Sequence, residues 1–92
     1  MRGGSIGPKR QGDVRLKRLG RTGILLNVRT GDFFELDATA LAIWQQLDGK
    51  TDVATVARRL ARRFDARIGD VEPDVRRFVS MLRRRGLIDV AG

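Results

Sequence analysis

A chain of 92 residues makes one domain and buries about 60–65% of its unfolded surface, so its core is modest. It has no cysteine and no histidine, which excludes a disulfide scaffold, thiolate metal sites and the commonest general base and metal ligand. Lys plus Arg number 19 against 11 Asp plus Glu, and the net charge of +8 suits polyanions or acidic peptides within a screening length of about 8–10 Å.

Residues 1–12 hold four glycines, one proline and three basic residues, and read as a disordered basic arm ahead of a single domain at 13–90. They contain no apolar signal region, and no run approaches the roughly 20 apolar residues of a membrane span, so the expectation is a soluble cytoplasmic protein. Val14 to Leu19 alternates apolar and basic residues, as a strand with one wet face does. Gly20 to Gly23 is turn chemistry, and Ile24 to Val28 is a short apolar run of central-strand type. A second turn at Arg29-Thr30-Gly31-Asp32 leads into Phe33-Phe34-Glu35-Leu36, which completes an antiparallel meander.

The remainder has helical periodicity. Asp37 stands at an N-cap position, and Leu41, Trp44 and Leu47 form the stripe of a first helix that Asp48-Gly49 ends. Thr51 or Asp52 caps a second helix, in which Val53, Val56, Ala57, Leu60, Ala61 and Phe64 share one face and Arg58, Arg59, Arg62 and Arg63 the other. A third begins near Asp70, tolerates Pro73 in its first turn, carries Val71, Val75, Phe78, Val79 and Leu82 inward, and stops at Gly86. Leu87 to Val90 is an apolar tail packed back on the domain. The predicted class is therefore α+β, with a three-stranded antiparallel β-meander followed by three α-helices in a winged-helix-like order.

No enzyme is predicted. Ser5 and Ser80, the only serines, lie near no base in sequence. The acids Asp70, Glu72 and Asp74 are those a helix dipole attracts to its first turn. Gly20 and Gly23 lack the lysine and hydroxyl residue of a phosphate loop. No cofactor or metal is expected. A winged-helix DNA-binding protein is the main rival, since small sheets, three helices and arginine-rich surfaces describe that class. Against it, five residues separate Phe64 from Asp70, longer than the usual helix-turn-helix connection, and the sheet precedes the helices instead of following them.

Peptide binding uses features that DNA binding leaves idle. The edge strand Asp32 to Leu36 suits β-augmentation, in which main-chain bonds give affinity and side-chain pockets give specificity. At about 100° per residue, Asp74, Met81 and Arg85 fall on one flank of the third helix, with Arg77 at its rim. Met81 either adapts to an apolar peptide side chain or thickens the core stripe. Adjacent strand residues face opposite ways, so Phe33 or Phe34 faces a cleft, and Phe34, sharing a face with Leu36, is preferred. A homodimer through Asp32 to Leu36 competes for the same edge.

The run RTGDFFELDATALAIWQQLDGKTDVATVARRLARRF, followed by DVRRFVSMLRRRGLI, resembles the PqqD-like family of precursor-peptide recognition elements in ribosomal peptide biosynthesis. The marks are the Gly31 to Asp37 strand-to-helix junction, Ile43-Trp44, Asp48-Gly49, Asp74-Val75 and Gly86-Leu87. The resemblance implies a non-enzymatic adaptor, or peptide chaperone, whose third meander strand takes a leader peptide as an added strand lying against the third helix. That maps onto Asp32, Phe33, Phe34, Glu35 and Leu36, and onto Asp74, Arg77, Phe78, Met81, Leu82 and Arg85. The Arg-Thr-Gly turn and paired aromatics look most like stand-alone members of lasso-peptide clusters, whose partner is a leader peptidase. The pyrroloquinoline quinone subgroup has a proline-containing segment where this chain has Phe33 to Glu35. The alternative partner is a radical-SAM maturase.

Overall fold

The structure, a computed structural model, describes residues 7–90. Its elements run β1 (Pro8–Arg10), β2 (Val14–Leu19), β3 (Thr22–Asn27), β4 (Phe33–Leu36), α1 (Ala38–Gln45), α2 (Val53–Arg63), α3 (Ile68–Arg84) and β5 (Ile88–Val90). This is the expected α+β arrangement, with an antiparallel meander ordered β2-β3-β4 ahead of the three helices.

The meander's register decides which residues meet the helices. Leu16, Leu25 and Phe34 lie in one cross-strand row, and Arg18, Gly23 and Leu36 in the next. Leu25 and Leu36 in those rows are buried, and Leu16 and Phe34 pack against the same core. The alternate rows carry Arg15, Leu26 and Phe33, then Lys17, Ile24 and Glu35, and face away. The 67% exposure of Phe33 follows from that alternation.

α1 and α2 start at carboxylate caps that the sequence offers. The Asp37 carboxylate accepts from the Ala40 amide at 2.8 Å, and of the two candidate caps for α2 it is Asp52 that accepts, from Thr55 at 2.8 Å. Thr51 is instead buried, its amide donating to Asp48. α1 ends with Gln46 as its cap, and Gly49 takes φ 83°. Gly86, at φ 72°, closes α3 while the Leu87 amide reaches back to the Leu82 carbonyl at 2.9 Å. The core joins Leu25 and Leu36 of the sheet to Leu41, Ile43, Trp44 and Leu47, to Val56 and Leu60, and to Val75, Val79 and Leu82. Leu87 and Ile88 complete it, so the apolar tail does pack back.

Three expectations need correction. Residues 7–12 are not a disordered arm: β1 pairs antiparallel with β5, Lys9 opposite Asp89, and the Gln11 amide donates to the Leu87 carbonyl at 3.1 Å. Residues 1–6 of that expected arm lie outside the described residues. The burial of Pro8 in an otherwise polar segment explains the pairing, which a search for apolar periodicity does not reveal. α3 starts at Ile68, two residues earlier than expected, so Pro73 lies in its second turn. There the proline leaves the Gly69 carbonyl without its helical donor. Both residues are exposed, so that carbonyl is not forced into an apolar interior. Finally, Phe64 leaves the apolar stripe of α2: it is the C-cap residue and 44% exposed.

Candidate functional site

The hairpin that presents β4 is held by a residue the sequence reading passed over within an apolar run. Asn27 is buried, and its side-chain oxygen accepts from the Arg29 amide at 2.9 Å and the Thr30 amide at 3.3 Å. Its own amide donates to the Asp32 carbonyl at 2.9 Å, and its carbonyl accepts from Gly31 at 2.8 Å. Gly31, at φ 83°, supplies the left-handed turn that a side chain would strain. An asparagine followed by Thr-Gly at this spacing is a turn signal, and it was legible.

That bond also sets the hydrogen-bonding parity of β4. Because Asn27 pairs with Asp32, the main-chain groups of Phe34 and Leu36 point to Leu25 and Gly23 of β3. Those of Phe33 and Glu35 point outward, along an edge that no strand covers among the described residues. β4 therefore offers two free amide–carbonyl sets to an added strand, while its Phe34 side chain turns toward the core.

α3 stands on the far side of this edge. Phe78 and Met81 are half-buried and pack against the core, as Phe34 does. The Arg85 guanidinium lies over the Phe34 ring at 5.0 Å from its centroid, which links the two walls directly. Asp74 and Arg77 are exposed and pair with each other at 2.6 Å. Leu36 and Leu82 are fully packed core residues, so they support the walls without lining them. The structure thus brings Arg85 onto Phe34, while Phe78 and Met81 pack against the shared core from α3. It leaves Phe33 and Glu35 outside with their side chains in solvent, and engages the Arg77 charge with Asp74. The preference for Phe34 over Phe33 on the packed side agrees with this geometry.

The two carboxylates held below their ordinary range are Asp48 and Asp52, both at the entrance to α2. The Lys50 amide is the largest cause for Asp48, and the Thr55 hydroxyl for Asp52. Asp52 is the N-cap of α2, and Asp48 closes the turn before it by accepting the Lys50 and Thr51 amides. Among the described residues no helix is long and apolar enough to cross a membrane.

The sequence profile of the family Coenzyme PQQ synthesis protein D (PqqD) matches residues 22–88, from the start of β3 to the start of β5. The chain belongs to the PqqD family. It is 39% identical over 54 residues to a PqqA binding protein of Xanthomonas oryzae pv. oryzae (strain PXO99A), covering 59% of each chain. It is 36% identical over 55 residues to another of Rhizobium meliloti (strain 1021), covering 60% of this chain and 56% of that one. The chain thus matches under two thirds of the length of these curated relatives.

Among solved structures, TbiB1 in complex with the TbiA(β) leader peptide superposes with a TM-score of 0.80 and 25% identity, over 88% of this chain and 94% of that one. The PqqD truncation of Methylobacterium extorquens PqqCD, described as a stand-alone recognition element for ribosomally synthesised, modified peptides, gives a TM-score of 0.75 and 26% identity, over 95% and 93%. Both superpositions extend over most of this chain and most of the neighbour, so the α+β fold is shared.

Proposed function

We propose that this PqqD-family chain is a non-enzymatic adaptor that binds the leader of a ribosomally made precursor peptide by strand addition and presents it to a processing enzyme. The observation that carries the reading is the outward-facing main chain of Phe33 and Glu35, on a strand whose Phe34 ring is met by Arg85 at the end of α3. A leader ordered on binding pairs with that edge, and one or two of its apolar side chains rest against Phe34, Phe78 and Met81. Arg85, which has no ion pair among the described residues, is the cation placed to steer an acidic leader residue. The Arg77 charge is partly answered by Asp74.

The favoured processing enzyme is the leader peptidase of a lasso-peptide pathway, supported by the likeness to TbiB1 with its bound leader. The sequence match to PqqA binding proteins favours a second reading, a chaperone for a radical-SAM maturase, and extends over 54 residues at 39% identity. Neighbouring genes separate the two.

The test is amide NMR of the labelled chain titrated with a candidate leader, and separately with a random DNA duplex at physiological salt. Saturable shifts from the leader, concentrated at residues 32–36 and 74–85, are expected. Shifts from DNA alone, centred on the α2 and α3 arginines and fading with salt, would replace the adaptor by a nucleic-acid binder. Concentration-dependent broadening at 32–36 without ligand would assign the edge to a homodimer.

A further inference from the structure

On the opposite edge of the sheet from β4 lies a pocket of about 270 Å³ that the leader reading does not use. Arg18 and Arg21 of the β2–β3 hairpin, Leu41 and Ala42 of α1, and Arg63 and Phe64 at the end of α2 form its wall and floor. Three arginines line it, and no acidic residue does. None of the three has an ion-pair partner among the described residues, and Arg18 makes only a long contact of 3.5 Å to the Gly20 carbonyl. Like charges gathered around a low-dielectric floor repel one another, and an anion relieves that repulsion. Phe64 adds the second half of the chemistry. Its ring stays 44% exposed at the rim with the Arg63 guanidinium 5.5 Å from its centroid, while Leu41 and Ala42 make a buried apolar floor.

We propose that this pocket is a second docking site, which takes an acidic segment of a partner protein. One apolar side chain of the segment fills the space between Phe64, Leu41 and Ala42, and flanking carboxylates pair with Arg18, Arg21 and Arg63. Free phosphate would leave the apolar floor idle, and a duplex needs a basic track instead of a single concave pocket. A second copy of this chain is a poor occupant, because each copy carries a net charge of +8. No lining residue belongs to β4 or α3, and β2 lies about 10 Å from β4 at two strand spacings. The adaptor can therefore hold a leader at one sheet edge and a partner at the other.

The test titrates the labelled full chain with a blocked pentapeptide of sequence Asp-Glu-Phe-Glu-Asp, with its Asn/Gln analogue, with sodium phosphate and with a short DNA duplex. Saturable shifts at residues 18, 21, 42, 45 and 64 from the acidic peptide, absent with the analogue, are expected. The double variant Arg18→Glu/Arg21→Glu should weaken that binding about tenfold or more. The same variant should leave leader-induced shifts at β4 unchanged, so failure here is distinguishable from failure of the leader reading. Arg21→Gln, at an exposed turn, provides a milder variant should the double one misfold. Absence of saturable shifts overturns the proposal. Equal shifts from phosphate reduce the pocket to a general anion site, and tighter duplex binding makes it a nucleic-acid contact; both outcomes also overturn it.

Discussion

Arg85 and Phe34 meet across the candidate cleft, the guanidinium carbon 5.0 Å from the ring centroid, and so tie the end of α3 to β4. An exposed stack of this kind stabilises by about 0.5–1 kcal/mol. Arg85→Gln is expected to lower stability by about that amount in urea melts. It is also expected to weaken leader binding about threefold to tenfold, and to flatten its dependence on salt. Calorimetric titration at two salt concentrations measures both; an unchanged affinity and slope would place the leader away from the end of α3.

The parity of β4 allows a sharper test. Proline is tolerated on an edge strand when its missing N–H faces outward. The Glu35 amide faces outward and the Phe34 amide faces β3. Glu35→Pro is therefore expected to keep the fold, with an amide spectrum close to wild type, while reducing leader affinity tenfold or more. Phe34→Pro should disrupt the β3–β4 ladder and unfold the hairpin. A Glu35→Pro variant that still binds the leader at full strength would rule out strand addition at β4.

Met81 decides whether α3 is a wall of the site. It is half-buried and packs against the core from its edge, so a polar side chain of similar length can turn its head outward while its stem stays against the interior. Met81→Glu is expected to weaken leader binding by an order of magnitude or more while the melting temperature stays within a few degrees of wild type. Fluorescence anisotropy of a labelled leader measures this, and full affinity in the variant would remove α3 from the site.

Much of this was legible from local chemistry. Asp37 and Asp52 lie at caps, glycines at 31, 49 and 86 take positive φ, and the stripes of α2 and α3 up to Leu60 and Leu82 are buried or half-buried. Each of these depends on residues close in sequence. What stayed hidden depends on residues far apart. β1 exists because Pro8 to Arg10 pairs with Ile88 to Val90, a partnership that no window of the sequence contains. Phe64 fits the α2 periodicity, yet the chain turns away at Asp65 with φ 52° and leaves the ring at the surface. At the candidate site, the i,i+3 pair Asp74–Arg77 follows from helical spacing, whereas the Arg85–Phe34 contact followed from neither helical angle nor charge count. It depends on rotamers and on where α3 ends relative to β4.

The pH response should be flat near neutrality, because the chain has no histidine to titrate between pH 5 and 8. The carboxyl groups of Asp48 and Asp52 lie below their ordinary value of about 3.8 in the folded state. A folded value below the unfolded one means that the unfolded chain takes up protons first as pH falls. Their contribution is thus present in full above about pH 4 and is lost as pH drops through the lowered folded values. Urea midpoints are expected to agree between pH 5.5 and 8 and to fall at pH 3. A midpoint that moves within the neutral window would point to a group other than these two carboxylates.

Gly7 offers a test of the β1–β5 layer. Its amide donates to the Gly49 carbonyl at 3.2 Å, and the Gly49 amide returns a bond of 2.8 Å to Pro8. A Cβ on Gly7 would collide with the Thr51 carbonyl oxygen, which is backbone and cannot rotate aside. Gly7→Ala must push β1 away from the entrance to α2, and such overpacking costs about 1–3 kcal/mol. The expected result is a lowered urea midpoint together with faster amide exchange at Lys9, Gln11 and Asp89. Leader affinity should be nearly unchanged, since β1 and β5 touch neither Phe33 nor Glu35. A disordered arm would show none of this: alanine at a mobile glycine leaves stability and exchange where they were. Equal midpoints for wild type and Gly7→Ala would therefore return residues 7–12 to the solvent.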